Sequence, residues 1–223
     1  MIIPRCAATI LIGLAESGSK CWQREAQKKI GVRTVECLEE IADGDVRAPG
    51  NELSLCSQDD GNEIMSNNDQ SLRDHLLSLL RGGNAHISFD DFVVGFPVEK
   101  CGQRIEGLPY TAWQVLEHMR IAQWDILEFC RNANHVSPKW PKGYWPKPDE
   151  LGNAKLWMES VEKFRLDLKQ MGALVSDPST DLFATIPHGT GQTILREALL
   201  VADHNAYHLG VLVAADRILK AKS

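Results

Sequence analysis

The amino-acid sequence predicts an all-α protein, an antiparallel four-helix bundle with an additional N-terminal segment. Apolar residues recur at helical spacing in four stretches between residues 70 and 220, and Gly, Pro and polar capping residues separate these stretches. No alternating strand pattern competes with them. A chain of 223 residues is long enough for one such domain and an appendage.

The first two predicted helices cover residues 70–81 and 111–132. Leucines at every third or fourth position give the first helix an apolar face, and Gly82 and Gly83 mark its end. Thr111 or Pro109 starts the second helix, whose apolar positions continue to Phe129. The residues between the two helices are predicted to form a loop.

The last two predicted helices run from residue 149 or 150 to about 171 and from 193 to about 220. The fourth is long and apolar. Before the third helix lies the segment HVSPKWPKGYWPKP, residues 135–148, with four prolines and two tryptophans. Prolines at this density exclude a helix, and the tryptophans make the segment too apolar for a plain linker. We therefore expect a packed loop.

Residues 1–64 differ from the rest because they lack a sustained helical period and close in a polar run that is typical of a loop or a disordered joint. The sequence predicts two parts. Residues 1–64 are an N-terminal extension, either disordered or the product of a mis-assigned start upstream of Met65. Residues 65–223 form the helical bundle domain.

Composition and charge exclude several classes of partner. The net charge is -6 and the basic residues are scattered, so nucleic acid is not an expected partner. No stretch approaches the roughly 18 apolar residues of a membrane span. Six cysteines without a CxxC pair favour a reducing compartment. Arg5 and the apolar run after it resemble a signal peptide only loosely, without an A-x-A site, so we predict a cytoplasmic protein.

Two histidines in the fourth predicted helix, His204 and His208, lie four residues apart in the sequence DHNAYH. This spacing places both imidazoles on one face of a helix, about one turn apart. The face is mostly apolar, so both rings are predicted to point into the bundle, where unpaired polar groups are costly. A shared metal ion and two hydrogen-bonded core histidines are both consistent with this pattern.

A third metal ligand has to come from another helix. His118, in the middle of the second predicted helix, is the best candidate because it shares a stripe with Val115, Ala122 and Asp125. The other histidines lie on the short first helix or in predicted loops. A buried core histidine without a metal is the alternative for His118 as well.

Three parts of the chain together resemble the DinB/YfiT-like family of metalloenzymes. These are the helix sequence LPYTAWQVLEHMRIAQWDIL, the Trp- and Pro-rich loop after it, and the closing helix sequence ADHNAYHLGVLVAADR. The resemblance covers about residues 66–222. It implies a four-helix bundle of DinB/YfiT-like type that holds a divalent metal ion through one histidine of the second helix and both histidines of the HxxxH pair. By matching position these are His118, His204 and His208.

Three imidazole ligands leave at least one coordination position open on Zn²⁺ or Ni²⁺, which is typical of a catalytic site. The resemblance further implies transfer of a low-molecular-weight thiol to a small electrophile, and a homodimer. A metal-dependent hydrolase and a non-enzymatic, metal-binding dimeric stress-response module are the alternatives. Asp125 and Glu197 are candidates to orient an imidazole or to move a proton, with a solvated or helix-pairing carboxylate as the alternative for each.

Overall fold

The structure, a computed structural model, describes residues 59–221, with side chains from residue 67 onward. These residues form five α-helices: α1 (Asp59–Arg81), α2 (Phe89–Gly95), α3 (Ala112–Arg131), α4 (Ala154–Ser176) and α5 (Ile194–Ala221). Two single 3₁₀ turns are Val98–Lys100 and Lys142–Tyr144. No strand is found in this part of the chain, which confirms the all-α prediction there. The prediction of an N-terminal extension falls largely on residues 1–58, outside the described range.

Helices α3 and α5 lie within one residue of their predicted bounds. Thr111 caps α3, because its hydroxyl accepts a hydrogen bond from the Gln114 amide while the Gln114 side chain accepts one from the Thr111 amide. Helix α4 begins at Ala154, later than predicted, with Asn153 as its cap. Gly152, which adopts a positive φ of 88°, prevents an earlier start.

Two expectations about helices are wrong. Helix α1 begins at Asp59 and not near residue 70, because an apolar period marks only the part of a helix that packs, and the polar turns before it carry no such signal. The segment expected to be a loop after residue 83 contains α2, which Ser88 caps by accepting from the Asp91 amide. Seven residues are too few to display a helical period. The Pro-rich segment, residues 135–148, was expected to be a packed loop and contains one 3₁₀ turn, Lys142–Tyr144.

The long helices contribute to one buried apolar cluster, with Leu76 from α1, Ile126 from α3, Met171 from α4 and Val201 from α5 among its members. A second cluster contains aromatic residues from α2 and α4 together with Phe96, which follows α2 and whose ring stacks on that of Trp157 at 4.5 Å. Burying side chains of this size stabilises the fold by about 1.5–3 kcal/mol each. Most of the close contacts between helices join α3 to α4 and to α5.

Arg73 links α1 to the end of α4. Its buried guanidinium donates hydrogen bonds to the main-chain oxygens of Val175 at 2.7 Å, Asp177 at 3.0 Å and Thr180 at 2.8 Å, and it pairs with Asp69. Carbonyls at a helix C-terminus lack partners within the helix, so a buried cation there satisfies several of them together.

Among the described helices, α5 is long and apolar enough to cross a membrane by length and composition. The core helix of a soluble protein passes the same test, so this is weak evidence for a span. Both histidines of α5 are buried inside the protein, together with Ala198, Val201 and Leu212. The face of α5 that carries the histidines therefore belongs to the core.

Candidate metal centre

The three predicted histidines meet inside the protein. His118 Nε2 of α3 lies 3.2 Å from His208 Nε2 and 3.2 Å from His204 Nε2 of α5. All three candidate ligand atoms lie within 4.8 Å of one another. The side chains are almost fully buried, with exposed fractions of 0% for His118, 9% for His204 and 2% for His208. The three histidines that the sequence singled out therefore lie together in the described part of the chain.

The packing of α3 against α5 brings the rings together. His118 lies on the buried face of α3 with Val115 and Ala122, and the HxxxH pair lies on the buried face of α5. Small residues on both helices, Ala122 and Ala198 among them, are buried where the apolar faces pack. The four-residue spacing of His204 and His208 in α5 and the packing of α5 against α3 are together enough to bring the three imidazoles close to one another.

Burial keeps these imidazoles neutral. Desolvation lowers the pKa of His118 to about 3, with a further lowering by the charge of His204. The same desolvation lowers the pKa of His204 to about 4 and, with added repulsion from His204 and His118, the pKa of His208 to about 2. Neutral imidazole is the form that binds a metal ion.

A hydrogen bond fixes the tautomer of His118. Its Nδ1 lies 2.8 Å from the main-chain oxygen of Tyr144, and because a carbonyl only accepts, Nδ1 must donate. The lone pair of neutral His118 is then on Nε2, the atom that faces the other two rings. One lone pair cannot serve two N–H donors well, whereas a central cation uses the lone pairs of all three rings.

The spacing of the rings fits a transition-metal ion. Two nitrogen ligands at 2.0–2.1 Å from a tetrahedral Zn²⁺ lie about 3.3 Å apart, and both separations from His118 Nε2 are 3.2 Å. Imidazole nitrogen suits Zn²⁺ and Ni²⁺ better than Mg²⁺ or Ca²⁺, which prefer oxygen. The donor set therefore fits a divalent transition-metal ion.

A comparison with protein-family models finds one match, to the DinB superfamily, over residues 87–212. This range includes more than half of the chain and all three histidines. The chain belongs to the DinB superfamily. No curated protein and no solved structure matches it. Helix α1 precedes the matched range, so the DinB match by itself covers α2 to α4 and most of α5.

Asp125 is buried near the three histidines. The sequence made it a candidate to orient an imidazole or to move a proton, with a solvated or helix-pairing carboxylate as the alternative. Its Oδ2 accepts a hydrogen bond from the Tyr144 hydroxyl at 2.6 Å, and its Oδ1 lies 2.7 Å from His135 Nε2. Asp125 therefore reaches His118 through Tyr144, whose main-chain oxygen accepts the Nδ1 hydrogen.

Glu197 is also buried, two turns before His204 on α5. It pairs with Arg196, and desolvation raises its pKa despite that partner. The structure places the Glu197 carboxylate in an ion pair with Arg196. This contact corresponds to the alternative given for Glu197, a carboxylate that pairs within its own helix.

Aromatic rings cover His118. The Trp145 ring stacks on the imidazole at 3.9 Å with an interplanar angle of 6°, and the Tyr110 ring stacks on Trp145 at 3.9 Å. The sequence predicted that this Trp- and Pro-rich loop is packed, but it did not identify Tyr144 and His135. Their signal was the density of aromatic residues in a Pro-rich loop, which indicates packing without showing against what.

The two described cysteines are not nucleophiles. Cys101 and Cys130 are buried and unbonded to other cysteines, and desolvation raises the pKa of both thiols, that of Cys130 to about 12. They stay protonated at neutral pH. Neither of the two cysteines in the described part of the chain therefore offers a thiolate.

Proposed function

We propose that this DinB-superfamily protein is a metal-dependent enzyme that transfers a low-molecular-weight thiol to a small electrophile. It binds one divalent ion, Zn²⁺ or Ni²⁺, through His118, His204 and His208. The observation that carries the proposal is the convergence of three neutral, buried imidazoles, with His118 Nε2 3.2 Å from the Nε2 atoms of both His204 and His208. Structural zinc sites use four protein ligands, so a set of three favours a catalytic role.

A bound ion would lower the pKa of a coordinated thiol, so that the reactive thiolate forms near neutral pH. The protein's own residues prepare the site for it. Tyr144 holds the proton of His118 on Nδ1, and Trp145 shields one face of the ring from water. Tyr207, 47% exposed, lies edge-on to His208 at 4.9 Å, so the surroundings of this histidine extend to the surface.

The proposed transfer forms one bond and breaks another. The sulfur of the small thiol attacks an electrophilic carbon, the carbon–sulfur bond forms, the leaving group departs with the bonding pair, and the thiol proton passes to solvent. The choice of a thiol rests on the family resemblance, and the burial of Cys101 and Cys130, the two cysteines among the described residues, supports a thiol co-substrate.

We also infer that α1, α3, α4 and α5 form the antiparallel four-helix bundle of the family, since all four contribute to one apolar cluster. A cytoplasmic homodimer without nucleic-acid or membrane partners remains part of the proposal. Its supports are the scattered charge, the cysteine pattern and the family resemblance.

The reaction is tested with protein loaded with Zn²⁺ or Ni²⁺ and a chromogenic alkylating electrophile, with and without small thiols. We expect turnover that requires the thiol and is lost in His204→Ala. His75→Ala, which removes an exposed histidine of α1, serves as the matched control and should retain the activity. Turnover without thiol would favour a metal-dependent hydrolase over the transferase. Absence of turnover under both conditions would favour a non-enzymatic metal-binding module.

A further inference from the structure

Tyr144 contacts α3 at two points. Its main-chain oxygen accepts the hydrogen bond from His118 Nδ1 at 2.8 Å, and its hydroxyl donates to Asp125 Oδ2 at 2.6 Å. His118 and Asp125 are seven residues apart, which places them on one face of the helix about 10 Å apart along its axis. Tyr144 therefore lies along two turns of α3, with its backbone at the histidine and its hydroxyl at the aspartate.

Asp125 holds the Pro- and Trp-rich loop from both sides. His135 Nε2, at the start of the loop, lies 2.7 Å from Asp125 Oδ1, while Tyr144, near its end, uses Oδ2. Both carboxylate oxygens thus have partners in the same loop. The carboxylate is fully buried, which strengthens such hydrogen bonds. Burial and Asp125 together raise the pKa of Tyr144, so its hydroxyl remains a donor at neutral pH.

We propose that Asp125, Tyr144 and His135 are positioning residues that hold His118 ready for the metal ion. The inference rests on the proposed metal site and deepens it. Asp125 fixes the Tyr144 side chain, the Tyr144 carbonyl fixes the tautomer and the plane of the His118 ring, and the next residue, Trp145, stacks on that ring. Hydrogen bonding to a carbonyl also raises the basicity of the ligating nitrogen.

The same contacts would also tie down a loop without serving the metal, so the test needs a readout that stability alone does not move. Tyr144→Phe removes only the hydroxyl and keeps the carbonyl that accepts from His118. Ser160→Ala is the matched control. It removes another buried hydroxyl, one that bonds Glu117 at 2.7 Å and accepts from Trp113. Both variants are expected to lose stability.

Titration with Co²⁺ separates the two variants. Tyr144→Phe should bind Co²⁺ about tenfold or more weakly, which is the effect typical of losing an outer partner of a ligand. Its visible Co²⁺ absorption should change, whereas Ser160→Ala should match the wild type in both measurements. If Tyr144→Phe does not fold, Asp125→Asn gives the same readout with the same expectation.

Three results would count against these proposals, with different consequences. Wild-type protein that binds no Co²⁺ or Zn²⁺ would overturn the proposed metal site itself. Wild-type protein that binds Co²⁺, with Tyr144→Phe or its substitute Asp125→Asn unchanged in affinity and spectrum, would leave the metal site standing and refute the positioning role. An equal loss of affinity in Ser160→Ala would refute it too, since stability alone would then explain the effect.

Discussion

Acid should unfold the metal-free protein because three histidines are buried in their neutral form. In the unfolded chain each imidazole has a pKa near 6.5, whereas burial lowers the pKa values of His118, His204 and His208 to about 3, 4 and 2. The unfolded state therefore binds up to three more protons than the folded state between pH 6.5 and about 4. The contribution of the three neutral histidines to the free energy of unfolding is fully present above pH 6.5. It is lost as the pH falls from 6.5 to about 4.

The size of the effect follows from proton linkage. Each proton bound only by the unfolded state costs about 1.4 kcal/mol per pH unit, so three give a slope of about 4 kcal/mol per unit near pH 5. Integration from pH 6.5 to 5.0 gives a loss of about 5 kcal/mol. This equals the whole stability of many domains, about 5–15 kcal/mol.

Urea denaturation in EDTA at pH 7, 6 and 5, followed by circular dichroism, measures the loss. Burial raises the pKa of Glu197 and Asp167, which acts in the opposite direction, so a comparison is needed. The variant His208→Gln removes one imidazole, and its slope should be shallower by about 1.4 kcal/mol per pH unit. A free energy of unfolding that stays constant from pH 7 to pH 5, or an equal slope in the variant, would refute the reasoning.

Two further predictions concern the fold. Arg73→Lys keeps the charge but cannot reach three carbonyls together, so we expect a loss of about 3 kcal/mol in urea denaturation; unchanged stability would show that the guanidinium bonds contribute nothing. Gly152→Ala should lower the melting temperature well below that of Gly107→Ala. Both glycines have positive φ, but a Cβ at Gly152 would lie 2.4 Å from the Trp113 ring, while Gly107 has open space. Equal melting temperatures would contradict this clash.

The helices that could be predicted from sequence are those with an extended apolar face. Helices α3 and α5 have such faces over five turns or more, and their bounds agree with the prediction to within one residue. Helix α2 was missed because its seven residues are only about two turns, shorter than the roughly 11–18 residues over which a helical period can be recognised. The early part of α1 was missed because its residues are polar, and a helical period is visible only where packing selects apolar side chains.

The residues of the candidate site also differ in how far the sequence could predict them. His204 and His208 were predictable as neighbours because a helix fixes the geometry of residues four apart. The mid-helix position of His118 made it the best candidate for a third ligand, and the family resemblance implied the same residue. The contacts of Asp125 were not predictable, since its carboxylate accepts a hydrogen bond from the Tyr144 hydroxyl and it is the Tyr144 main-chain oxygen that bonds to His118. That contact depends on the path of a Pro-rich loop and on a main-chain oxygen, neither of which follows a residue period.

Metal stoichiometry tests the central claim most directly. Wild-type protein, purified and equilibrated with Zn²⁺ or Ni²⁺, should retain one ion per chain after removal of free metal. His118→Ala and His204→Ala should retain none while keeping their helical circular dichroism. A wild-type protein without bound metal under these conditions, or variants that bind it as the wild type does, would contradict the account.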